Sequence, residues 1–242
     1  MTAAAPAHSL SALRPLEYCE EKVPKLWFCG FLMLMVGCGP SERQERPSSR
    51  TEPAAMFSAL EERLLNAGTV RFDFHVSAQE ALEADLRGAF AIGPADLAQL
   101  TAVGQFGGQP VDLLLRSEDE ELEFGNKTNR TVAARPPHLK EALLIGLTRM
   151  GILHNLARLT SASAPDHADG GVREWVTVGS FAAEASDPDV LSFDLTVAGQ
   201  PAGSASLAVD SQGRLLVRRQ TVLFPSGEMR VVERYSAVTI DP

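Results

Sequence analysis

The sequence predicts an α+β domain: a strongly curved antiparallel sheet of about nine or ten strands, forming a half-open β-barrel with helices over its concave side. Three observations predict it. Between residues 69 and 240, apolar and polar residues alternate in short runs, the period-two signature of strands with one buried face. Gly-Pro at 93–94, Gly-Gly-Gln-Pro at 107–110 and Ser-Glu-Asp-Glu at 117–120 separate the early runs, and these are turn sequences. Helical spacing is confined to two stretches, without the strand–helix alternation that builds a parallel sheet.

The chain opens with a segment of a different kind. Residues 26–37, LWFCGFLMLMVG, carry no charge. As a helix they would span about 18 Å, short of the ~30 Å hydrocarbon core of a bilayer. They fit the apolar centre of a signal peptide, with Lys22 and Lys25 as its basic flank. The long stretch before them holds Glu17, Glu20 and Glu21, which points to a true translation start near residue 23. Residues 39–55, GPSERQERPSSRTEPAA, are too polar to bury themselves and read as a tether reaching very roughly 20–25 Å.

Met35-Val36-Gly37-Cys38 resembles the lipobox of bacterial lipoproteins. The resemblance implies that the Cys38 thiol carries diacylglycerol, that the chain is cut before it, and that the new amino terminus is acylated, with palmitate-type chains. Two or three such chains make a stable membrane anchor where one does not. Gly39 after the cysteine implies sorting to the outer membrane in a Gram-negative cell, with the domain outside the cytoplasm. The expected organisation is therefore a signal peptide at 1–37, the lipidated cysteine and tether at 38–55, and one β-rich domain at 56–242.

Residues 54–68 are expected to form an amphipathic helix, with Met56, Leu60, Leu64 and Leu65 on one face and Glu61, Glu62 and Arg63 mostly on the other. In 69–76, Val70, Phe72, Phe74 and Val76 alternate with Thr69, Arg71, Asp73 and His75. Further strands are read around Leu86–Ile92 in 84–93, more weakly at 100–106, then at 111–116 and 122–124. After Pro136-Pro137, residues 138–159 read as one helix of about 33 Å, apolar on most of its circumference. A polar loop at 161–171 leads to strands at 173–181, 190–198, 205–209, 215–224 and 229–240, with turns at Asp210–Gly213 and Pro225–Gly227.

Composition excludes more than it assigns. The net charge is −9, and the first 38 residues hold three bases and three acids, so the whole excess lies beyond them. Such a domain repels phosphate backbones, and nucleic acid is not an expected partner. Cys19, Cys29 and Cys38 are the three cysteines, leaving the domain without a disulfide to form. No P-loop, nucleophile elbow, HExxH or EF-hand pattern occurs; neither catalytic residues, a metal nor a cofactor is expected. His154 with Asp166 and His167 is a weak metal-like grouping, Arg149, His154 and Arg158 a weak ring for a polar head, and Asn126-Lys-Thr and Asn129-Arg-Thr chance glycosylation patterns.

The order of elements resembles the LolA/LolB lipoprotein carriers and related lipid-carrying lipoproteins: a leading helix, a meander that includes TVRFDFHV (69–76) and ADLRGAFAIG (84–93), a central helix, then long hairpins with a D-x-x-G turn in 205–224. It implies a lipid or acylated-protein ligand. The strand faces fit that, because Phe72, Phe74, Phe90, Leu113, Leu115, Met150, Phe193 and Leu195 would line an interior suited to acyl chains and offering nothing polar. If side chains fill the interior instead, the protein is a structural lipoprotein acting through an envelope protein partner.

Overall fold

The computed structural model describes residues 52–161, 171–225 and 227–242. The lipobox, most of the tether and the loop residues Asp166 and His167 lie outside them. A helix α1 (Pro53–Asn66) precedes a six-stranded meander: β1 (Thr69–Glu80), β2 (Ala84–Ile92), β3 (Ala98–Phe106), β4 (Gln109–Glu118), β5 (Glu121–Asn126) and β6 (Asn129–Ala134). Three helices follow, α2 (Leu139–Arg149), α3 (Ile152–Thr160) and α4 (Val172–Trp175). A second meander completes the domain: β7 (Val176–Glu184), β8 (Asp189–Val197), β9 (Gln200–Val209), β10 (Leu215–Phe224) and β11 (Gly227–Asp241).

All eleven strands belong to one antiparallel sheet in the order β6-β5-β4-β3-β2-β1-β11-β10-β9-β8-β7. The two meanders thus join through their first and last strands, with Thr69 opposite Asp241 and Glu80 opposite Met229. β6 and β7 remain as edges, so the barrel is open.

Curvature follows from what the helices touch. α3 packs on β4 and β5, whereas α1, α2 and α4 pack on β7. From β5 to β7 is nine strand steps, about 43 Å if the sheet were flat. The successive helices α2 and α3 have 11 and 9 residues, about 16 and 14 Å. The short helical layer reaches both ends because the sheet curls around it. That enclosure explains why residues 142–148 of α2 are buried without a break: sheet and neighbouring helices cover every side.

Four expectations are corrected. The strands number eleven among the described residues, not nine or ten: β6, NRTVAA, was missed because it is an edge strand with almost no buried side chain to write an apolar pattern. The long helix at 138–159 is two helices, broken at Met150-Gly151. Residues 172–175 are a helical turn before β7 rather than part of the strand. Glu61, expected on the wet face of α1, is buried with Phe57, Leu60 and Leu64.

The helix break has a specific cause. Gly151 has φ +83°, and a Cβ there would lie 2.6–2.9 Å from the Glu233 carboxylate, so glycine both permits the left-handed backbone and admits the acid.

Candidate functional site

The apolar interior of the half-barrel is the candidate site. Strand alternation delivers Phe72 and Phe74 from β1, Phe90 from β2, Leu113 and Leu115 from β4, and Phe193 and Leu195 from β8 to one face, each 5% exposed or less. Met150, at the helix break, is partly buried against the same cluster. The structure therefore brings all eight predicted lining residues into one apolar body.

Within it the rings are in contact. Phe72 stacks on Phe90 with centroids 4.8 Å apart and meets Tyr235 edge-on at 5.2 Å. Phe193 contacts Phe57 of α1 at 4.9 Å and Phe181 of β7 at 5.9 Å. A cleft of about 340 Å³ leads toward this body at the rim, between α1 and the β9–β10 turn. Met56, Leu60, Leu191 and Val209 give it an apolar floor, and Arg63, Asp189 and Asp210 a polar rim. The Arg63 guanidinium crosses it and donates to the Gln212 carbonyl. Asp210 is held below the usual carboxylate range by the Arg214 backbone N–H and guanidinium.

The interior is not purely apolar, which corrects the expectation that it offers nothing polar. Arg218, Gln220, Glu233 and Tyr235 also point inward, all nearly or fully buried. Arg218 and Glu233 stand opposite each other on β10 and β11. Each meets one side of the helix break. Arg218 donates to the carbonyl of Arg149 at the end of α2 and to Gln220 Oε1 at 2.6 Å. Glu233 accepts from the backbone N–H groups of Ile152 (3.1 Å) and Leu153 (2.9 Å), which begin α3. Cation and anion thus sit at the helix ends whose partial charges they complement. The Tyr235 hydroxyl donates to Glu233 as well.

A second polar clasp ties the helices together. Arg149 donates from Nε and Nη2 to the two Glu61 oxygens at 2.8 and 3.0 Å, and from Nη1 to the Val176 carbonyl at 2.7 Å. The Thr148 hydroxyl lies 3.0 Å from the same carboxylate. This bidentate pair is what makes a buried glutamate on α1 tolerable. At the far edge, the Asn126 amide donates to the Thr160 carbonyl at 3.0 Å, pinning α3 to the β5–β6 turn. With Asn126 Oδ1 also accepting from Thr128 and Asn129, that side chain is fully engaged in the turn.

Of the two weaker groupings, the one with Asp166 and His167 lies partly outside the described residues. Arg149 is committed to Glu61, and His154 stacks obliquely on Trp175 at 5.9 Å, so no ring of three bases forms. Among the described residues no cluster of three metal-ligating side chains occurs.

Burial of Tyr235 gives a direct test of the inner network. Desolvation first, then the Glu233 charge and its hydrogen bond, push the phenol well above its ordinary value of 10.0. The folded state therefore prefers the neutral phenol. Its contribution to stability is complete below pH 10.0 and declines at higher pH, where the unfolded chain ionises and the folded one does not. The sequence has two tyrosines, Tyr18 and Tyr235. In an absorbance titration of the protein cut before Cys38, in which Tyr235 is the tyrosine that remains, we expect the tyrosinate signal at alkaline pH only on unfolding. A single transition of full amplitude in the folded protein would contradict the buried network.

No family model and no curated protein matches the sequence. Among solved structures, LprF from Mycobacterium bovis aligns over 78% of this chain and 95% of its own length, at 8% identity with a TM-score of 0.38. A LolA superfamily protein from Nitrosomonas europaea aligns over 76% of this chain and 93% of its own, at 12% identity with a TM-score of 0.29.

Proposed function

We propose that this chain is an envelope lipoprotein, anchored through Cys38, that holds a lipid or acylated ligand between its curved sheet and helical cover without covalent chemistry. One observation carries the reading. A largely apolar interior is roofed by helices that are fastened through polar groups at Arg149, Arg218 and Glu233, with an amphipathic cleft at its rim. Polar fastenings can exchange for water when the cover shifts, whereas buried apolar contacts lose that energy outright. Phe72, Phe74, Phe90, Leu113, Leu115, Met150, Phe193 and Leu195 are the proposed walls for an acyl chain. Its transfer from water is worth about 0.8 kcal/mol per CH₂.

Among the described residues no helix is long and apolar enough to cross a membrane, so the proposed attachment is the lipid on Cys38, through the tether. A second reading has one observation in its favour: the interior rings already touch, as expected of a filled core. The protein would then be a structural lipoprotein working through an envelope protein partner.

Native mass spectrometry decides between them. The full chain carrying Cys38→Ser has no covalent lipid, so any added mass is bound ligand. The carrier reading expects co-purified lipid or uptake of a fluorescent fatty acid; an empty protein that takes up neither establishes the structural reading instead.

A further inference from the structure

We propose a second binding surface, on the opposite side of the sheet from the helices: the outer face centred on Arg87, Arg219 and Arg234 binds an acidic polysaccharide. It is independent of the interior and of what the interior holds.

The register gathers Arg87, Arg234 and Arg219 within four neighbouring strands of the outer face. His75 of β1 stands opposite Arg87 of β2 on one side and opposite Arg234 of β11 on the other, all facing outward between buried neighbours. Directly opposed side chains lie about 4.5–5.5 Å apart at Cβ, so His75 has an arginine close on either side. Arg219 of β10 pairs with Val232, two residues from Arg234, so it is the diagonal neighbour at about 7–8 Å. Arg230 continues the line past Arg219.

Elsewhere on the outer face carboxylates answer Arg116, Arg130 and Arg230, while among the described residues Arg71 of β1 stands apart without one. Arg116 is 3.6 Å from both Glu118 and Glu123, Arg130 is 3.1 Å from Glu123, and Arg230 is 3.6 Å from Glu80. Among the described residues Arg87, Arg219 and Arg234 have no hydrogen bond or ion pair, while Asp85 is engaged with His75 at 3.2 Å. In a chain with 31 acids against 22 bases, three unanswered guanidiniums within four neighbouring strands, two of them diagonal neighbours, run against the overall charge. Departures of this kind mark a surface built for something else.

The groove beside them narrows the ligand class. About 460 Å³ of space runs along Arg219 and Arg230, edged by the hydroxyls of Ser192, Ser204, Ser206 and Thr221, with Asp194 at its end. A guanidinium row takes carboxylates in bidentate pairs, and the hydroxyls match a polyhydroxylated chain. A peptide would gain little, because a sheet face offers none of the free backbone groups that a sheet edge does. Its few apolar side chains, such as Val103 and Val232, give a bilayer no aromatic group to receive.

The test uses the full-length protein in detergent with fluorescent alginate as the polyuronate probe and neutral dextran as control, read by anisotropy. Alginate should bind and dextran should not, and added salt should weaken the complex. The exposed triple variant Arg87→Gln, Arg219→Gln, Arg234→Gln should lose roughly tenfold or more in affinity. Arg116→Gln with Arg130→Gln, removing exposed but paired cations, should leave it unchanged. Absence of alginate binding, or equal losses in both variants, overturns the proposal. So does equal or tighter binding of poly-L-glutamate, which would make the partner an acidic peptide. Because a loss of stability in the triple variant would also weaken binding, the matching Arg→Lys triple, which keeps the charge, should bind alginate at an intermediate level; if it binds as poorly as the glutamine triple despite a wild-type circular dichroism spectrum, point charge alone is excluded and the bidentate geometry is what the surface supplies.

Discussion

Glu233→Ala is expected to cost about 3–5 kcal/mol of folding stability, the range for breaking a buried charge pair by removing one partner. The loss has three sources that act together. Arg218 has no exposed surface and would keep its charge without an opposite one across the β10–β11 ladder. The N–H groups of Ile152 and Leu153 would lose their acceptor inside the half-barrel. The Tyr235 hydroxyl would lose its acceptor too. Against a typical total of 5–15 kcal/mol this is a large fraction. With a urea slope of about 2 kcal/mol per molar, the unfolding midpoint should fall by about 2 M. The double variant Glu233→Gln with Arg218→Met should recover most of the loss, because it removes the stranded cation and retains an amide oxygen for α3. A loss for Glu233→Ala no greater than that of an exposed ion pair, about 0–1 kcal/mol, would show that the network does not hold the helix break.

Cys38→Ser has the largest expected effect on the protein's whereabouts. If the thiol carries diacylglycerol, its removal leaves a signal segment of twelve uncharged residues as the sole apolar attachment, and that stretch is too short to span a bilayer. In fractionated cells the wild type should sediment with membranes and partition into detergent, while the serine variant should be found in the soluble fraction. The masses should differ as well, by the acyl and glyceryl groups and by the uncut leader. A serine variant that stays in the membrane fraction at unchanged mass would remove the anchor from the proposed function, and the envelope setting with it.

What could be read from the sequence depended on how strongly burial wrote itself into the pattern. β1 was plain because Val70, Phe72, Phe74 and Val76 face the core while Arg71, Asp73 and His75 face outward. The β9–β10 turn was plain because Asp210 and Gly213 make its closing hydrogen bonds. β6 left no such trace, since an edge strand buries little. The burial of Phe72, Phe74, Phe90, Leu113, Leu115, Phe193 and Leu195 was legible for the same reason as that of β1. The polar members of the site were not, although a signal existed. In β11, Met229, Val231, Glu233 and Tyr235 share one parity, and all four are buried, so a charge in step with apolar neighbours was the clue. In α1, Glu61 follows Leu60 on the buried stripe, but its partner Arg149 lies 88 residues away, and no local pattern discloses such a pairing. The break at Gly151 depends likewise on an acid contributed by the last strand.

The seam between β1 and β11 fixes when this protein can fold. The central ladder pairs the first strand with the last, Thr69 with Asp241, so the core cannot close until almost the whole chain has emerged. Contacts this remote in sequence form slowly. If the chain is exported as proposed, that delay keeps it threadable through a narrow channel until β11 arrives, and only then does it become too bulky to slip back.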